Sequence, residues 1–190
     1  EPEPEPTPTP KPTKTPDQVK EPEPKPTLNK KFLDRALTSA TKGLDDRHRL
    51  YHYRFPAHHT LVTPSGVYAI TAKFQGGSVE WDDNHKRLRH SGVSIFRRFF
   101  GQEALGRPLI EAGAEAQRLA KFLAKQFGEN APPVLPLLVF TNPKVDFGSM
   151  KATPIPVLKA KRLNPYLRKR PQSNTLSETQ LEALDHGWNG

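Results

Sequence analysis

The spacing of apolar residues changes period several times along the chain, and each change marks an element. Phe32, Leu33, Ala36, Leu37 and Ala40 recur three and four residues apart, which predicts a helix capped near Asn29 and stopped at Gly43. Residues Arg49–Phe55 then read as a strand that Pro56 ends. His59–Thr63 and Val67–Lys73 are both β-prone. Between them Pro64-Ser65-Gly66 makes a turn, with Gly66 free to take the positive φ that such turns use, so the two runs predict a hairpin. Gly76-Gly77 leads into Ser78–Trp81, and Asp82–Asn84 turns the chain into Lys86–His90. Residues 49–90 are thus expected to form a meander of four or five strands.

Residues 93–106 show no clear period. From Arg107 to Gly128 the pattern is helical, with Pro108 near the start, where a missing N–H costs nothing, and Gly128 at the stop. Val134–Phe140 is nearly all apolar, as in a strand buried on both faces, while Pro136 calls for one free edge near its start. Ile155–Leu158 reads as a short edge strand. Ala160–Arg170 and Ser177–His186 read as closing helices, and Ser177 with Gln180 three residues on makes a capping box. The order of elements predicts an α/β layer architecture, with α+β as the variant: a central mixed sheet built from the hairpin and the buried strand, flanked by helices.

Composition divides the chain. Ten of its 21 prolines fall in residues 1–27, among Glu, Thr and Lys, and Val19 is the only other apolar side chain there. Such a stretch buries too little to offset the entropy of ordering and is expected to be a disordered or polyproline-like spacer. Residues 28–190 are expected to form one domain. The chain starts at Glu1 without an initiator Met, which is read as a fragment or processed form with any anchor lying upstream. No apolar run approaches the roughly 18–20 residues of a membrane helix. The chain carries +9 and residues 1–27 carry −2, which leaves +11 on the rest. So basic a domain points to a polyanion, either nucleic acid or an anionic membrane surface, against the plainer reading of a solvated lysine- and arginine-rich surface. The absence of cysteine excludes disulfides, thiolate metal sites and cysteine nucleophiles.

The stretch His58-His59-Thr60-Leu61-Val62-Thr63-Pro64-Ser65-Gly66-Val67-Tyr68-Ala69-Ile70-Thr71-Ala72-Lys73 resembles the signature of the NERD (nuclease-related) family. That signature is Asp-His, a short apolar strand, a Pro-x-Gly-Val turn, a second apolar strand and Ile-Glu-x-Lys. Gly76 or Gly77 matches the glycine that follows. Arg107-Pro108-Leu109 resembles the family's Asn-Pro motif, and the apolar strand Val134–Phe140 and the basic helix around Arg162-Leu163 fall where the family has theirs. The resemblance covers roughly residues 50–170.

What it implies is a fold like that of the PD-(D/E)XK nucleases, in which two carboxylates hold Mg²⁺ and a lysine helps to activate water. Here His58 stands at the family's Asp position and Thr71 at its Glu position, while Lys73 is kept. The helix Gln is replaced by Glu111. A hard cation wants carboxylate oxygens, so the resemblance implies a degenerate nuclease. Pairing Thr63 with Val67 across the turn sets residue 58 opposite residue 72, near 71 and 73. Glu111 is the first candidate for a relocated acid, with Glu80, Asp82 and Asp83 behind it, although Asp82 and Asp83 also read as turn formers. His58 and His59 read as hairpin-edge residues, since no His, Asp or Glu set stands near them at metal spacing. No metal site and no cofactor are expected, Mg²⁺ entering only if the chain cuts.

The strongest binding surface in the sequence is Lys159, Lys161, Arg162, Arg168, Lys169 and Arg170. Three functions remain open at this point. The first is a basic module that binds nucleic acid, DNA ahead of RNA, or a protein partner, without cutting. The second is an active divalent-metal DNA nuclease with relocated acids. The third is a structural or sensory module on a Pro-rich spacer. The favoured setting is cytoplasmic, with tethering to a membrane by an upstream segment as the alternative.

Overall fold

The computed structural model describes residues 28–91, 105–150, 153–170 and 176–186. The spacer 1–27 and the aperiodic stretch 93–104 lie outside them. The elements, in order, are α1 (Leu28–Thr41), β1 (Arg49–His52), β2 (His59–Thr63), β3 (Gly66–Lys73), β4 (Gly77–Asp82), β5 (Arg87–Ser91), α2 (Pro108–Phe127), β6 (Val134–Phe140), β7 (Val145–Phe147), β8 (Val157–Lys159), α3 (Leu163–Arg168) and α4 (Glu178–His186). Short 3₁₀ turns follow α2 at Gly128–Asn130 and β8 at Ala160–Arg162.

A five-stranded mixed sheet, β1-β2-β3-β6-β8, forms the centre of an α/β fold, and β5-β4-β7 form a second, smaller sheet. β3 is the middle strand of the five-stranded sheet, antiparallel to β2 and parallel to β6. Two parallel neighbours need a crossover between them, and α2 lies in that connection. On one face Val62, Val67 and Ala69 pack against Ala116, Leu119 and Leu123 of α2. On the other, Leu61, Tyr68 and Ile70 pack against Leu37 of α1 and Leu163 and Leu167 of α3. Each such leucine, fully buried, contributes about 1.5–3 kcal/mol by removal from water. Val79 and Leu88 of the second sheet meet Leu138 and Phe140 of β6, which joins the two sheets through a third apolar cluster.

Several expectations are corrected here. The chain does not meander through one sheet: after β3 it leaves for the second sheet, where β4 pairs with β5 and β7. The strand expected over Arg49–Phe55 stops at His52, because Tyr53 takes a left-handed φ of 54°. The hairpin turn has two residues, since Gly66 already pairs with Thr63. The register therefore moves by one: His59 pairs with Ile70, so residue 58 lies opposite Thr71 instead of residue 72. The expected helix over Ala160–Arg170 is a 3₁₀ turn followed by six residues of α-helix.

Other expectations agree. Pro136 sits on β6 ahead of the residues that pair with β8 (Leu138–Phe140), so its missing N–H faces a free edge. The capping box forms, with Ser177 N–H donating to Gln180 Oε1 at 2.9 Å and Gln180 N–H to Ser177 Oγ at 3.2 Å. Among the described residues, no helix is long and apolar enough to cross a membrane.

Candidate functional site

Side chains on β3 alternate, so Val67, Ala69, Thr71 and Lys73 point to α2 and Tyr68, Ile70 and Ala72 to α1. At the end of β3, Lys73 Nζ reaches Glu111 Oε2 of α2 at 2.6 Å. One helical turn further along, Glu115 is buried and its Oε1 lies 2.6 Å from His58 Nδ1. The i, i+4 spacing puts the two acids on one stripe of α2, facing the hairpin. Thr71 is buried between these pairs in register, and its Oγ1 has no hydrogen-bond partner, nor has Glu115 Oε2. The hydrogen bond that His58 Nδ1–H donates to Glu115 raises the His58 pKa above the ordinary histidine value, outweighing partial burial.

The positions singled out from the sequence are thus brought together: His58, Thr71, Lys73 and Glu111 line one end of the hairpin. Glu115 joins them, although sequence reasoning passed over it. Its only signal was its place four residues after Glu111 on the face that buries Ala112, Ala116 and Leu119. Glu80, Asp82 and Asp83 lie elsewhere, on β4 and its turn. Asp82 accepts from the His85 N–H and ring, and Asp83 from Lys86 and the Trp81 indole, as turn formers do.

The chemistry of this set follows from its charges. Lys73 is a cation already neutralised by Glu111, and Glu115 is engaged by a histidine that favours its protonated form. No third carboxylate joins Glu111 and Glu115 to hold a hard cation among the described residues.

A basic cleft of about 690 Å³ opens beside the set, between β5 and the start of α2. Lys86, Arg87, Arg89 and Arg107 line it with His85, His90 and the apolar Leu109 and Ile110; no carboxylate is among the described lining residues, although Asp83 pairs with Lys86 and Asp82 with His85. Gly106, at its rim, approaches Glu111 so closely that a Cβ there would lie 3.0 Å from Oε1. Strand alternation exposes Arg87 and Arg89 while Leu88 is buried below. The cleft is invisible to a linear reading, because Arg107 meets β5 only through packing.

The C-terminal basic cluster is less free than its sequence implies. Lys159 pairs with Asp146 at 3.2 Å and lies over the Phe147 ring. Arg168 bonds the Gly43 carbonyl and Asn164, and Arg170 stacks on Tyr166 and bonds its hydroxyl. Lys161, Arg162 and Lys169 are exposed. Register places Lys73, Phe140 and Lys159 in one row at the carboxyl ends of three parallel strands, the usual location of binding crevices in such sheets.

Against known proteins, no family model matches the chain, and neither a curated protein nor a solved structure shows significant similarity to it.

Proposed function

We propose that this chain is a nuclease-related module that has lost cutting and binds nucleic acid, DNA ahead of RNA, at the basic cleft beside the hairpin. The observation that carries this reading is the cleft itself: Arg87, Arg89 and Arg107, with Lys86 held by Asp83, around about 690 Å³ that has no carboxylate among its described lining residues and comes next to Glu111 at Gly106. Phosphates are held by such arrays through counterion release, which ties affinity to salt. The resemblance of residues 58–73 to the NERD signature adds the expectation that the groove descends from a nuclease. With Lys73 and His58 each closed on a glutamate, the two carboxylates that a Mg²⁺-dependent cut requires are not at liberty.

Fluorescence-anisotropy titrations of duplex DNA, single-stranded DNA and RNA between about 50 and 200 mM salt test the reading. The affinity for duplex DNA should fall steeply over this range. Replacing Arg87, Arg89 and Arg107 together by Ala should flatten the log–log slope by about 2.7, at about 0.9 per phosphate contact. Absence of binding at about 50 mM, or a flat salt response, would refute it.

A second reading is favoured by one feature. Glu111 and Glu115 project from one face of α2 to Lys73 and the space over Thr71, with Glu115 Oε2 unpartnered. That is the geometry a relocated acid pair would use in an active divalent-metal nuclease. Cleavage of supercoiled DNA with Mg²⁺ or Mn²⁺ that co-purifies with the chain and is lost in both Lys73→Ala and Glu115→Gln would establish it in place of the first.

A further inference from the structure

On the opposite face of the sheet from Lys73, three side chains from three elements converge. Asp34 comes from α1, His52 ends β1 and His59 begins β2, paired with His52 across the strands. His52 Nδ1 and His59 Nδ1 lie 2.9 Å apart, and Asp34 Oδ1 lies 3.6 Å from the first and 3.8 Å from the second. A point equidistant from three atoms so placed is about 2.0 Å from each, which is the zinc–nitrogen and zinc–carboxylate bond length.

The remaining chemistry fits the same occupant. Asp34 Oδ1 is buried yet has no hydrogen-bond partner, although buried acceptors are nearly always satisfied. Two ring nitrogens in contact can share at most one hydrogen, so at least one Nδ1 offers a lone pair to the other. His52 turns its Nε2 to Thr38 Oγ1 at 3.1 Å, the kind of outer contact that fixes the ring of a ligating histidine. Tyr53, held at a left-handed φ next to His52, sets its ring 5.3 Å from that of His59.

We propose that Asp34, His52 and His59 form a binding site for a divalent transition metal of the zinc class. Two nitrogens and one carboxylate oxygen suit zinc and exclude magnesium as the preferred ion. Three protein ligands leave a further coordination position open, as catalytic zinc sites do and closed structural ones do not. The ion would fasten α1 to the first two strands. This site shares no residue with the basic cleft and stands whether or not the chain binds nucleic acid.

The test uses the tag-free full chain after chelator treatment, titrated with Zn²⁺ by calorimetry and with Co²⁺ by visible absorption. One Zn²⁺ per chain with a Kd of about 1 µM or tighter is expected, with ligand-field bands from Co²⁺, no competition from Mg²⁺, and a melting temperature raised by several degrees and restored by EDTA. His52→Ala and His59→Ala should weaken binding at least about 100-fold, and Thr38→Ala about 10-fold. His85→Ala should leave it unchanged. Because His59 is buried in the sheet, Asp34→Asn provides a variant of nearly unchanged shape, expected to lose at least about 10-fold. A Kd weaker than about 1 mM for the wild type, or equal affinity in folded Asp34→Asn and Thr38→Ala, would overturn the proposal.

Discussion

Replacing His58 by Ala removes the one hydrogen-bond partner that Glu115 has among the described residues; the Glu115 side chain is 7% exposed and its second carboxylate oxygen already lacks a partner there. Stripping the partner from a buried pair costs about 3–5 kcal/mol when both members are enclosed. A hydrogen bond to a charged group alone contributes about 1.5–3 kcal/mol. His58 is 58% exposed, so water enters the vacated space and solvates part of the carboxylate. The expected loss is therefore near the lower range, about 2 kcal/mol, or about 4–8 °C in melting temperature for a domain of this size. Urea unfolding at about pH 6, where His58 is charged, measures it. Adding Glu115→Gln to His58→Ala removes the stranded charge and should recover about half of the loss.

The pair also fixes a pH signature. Folding raises the His58 pKa, so the contribution is complete below the unfolded value of about 6.5 and disappears as pH rises through the higher folded value. Wild type should thus lose stability from about pH 6.5 upward relative to His58→Ala. A cost below about 0.5 kcal/mol at pH 6, or no recovery in the double variant, would refute this account of the pair.

Three further outcomes are expected. Gly66→Ala should destabilise by about 1–3 kcal/mol in thermal or urea unfolding, because φ is +132° and a Cβ would lie 3.3 Å from the Pro133 carbonyl oxygen. Arg168→Ala should cost about 1 kcal/mol by releasing the Gly43 carbonyl that ends α1, yet leave the salt slope of DNA binding within experimental error; a change of slope near 0.9 would return it to the binding surface. His58→Asp with Thr71→Glu puts two carboxylates opposite each other beside Lys73 and should create Mn²⁺ affinity that calorimetry detects in the variant and not in its parent.

Periodicity alone located the helices at 28–41 and 108–127, the hairpin, the buried strand and even the free edge at Pro136, because each depends on residues within one turn or one pleat of each other. Its errors fell where a neighbour distant in sequence decides. Whether β4 continues the first sheet or begins a second is settled by Val79 and Leu88 meeting Phe140, and the one-residue register at the turn by Gly66 pairing with Thr63. The same division holds for function. His58, Thr71, Lys73 and Glu111 could be named from the chain because the resemblance of their segments to a family signature singled them out. Glu115 and Arg107 acquire meaning only when α2 packs beside β3 and β5. Asp34 is separated from His52 and His59 by the whole α1-to-β1 connection, so no linear spacing links them. Packing α1 on the opposite face of the sheet brings their ligand atoms within 4.8 Å, because Leu37, one turn along the same helix, seats it against Leu61 and Ile70.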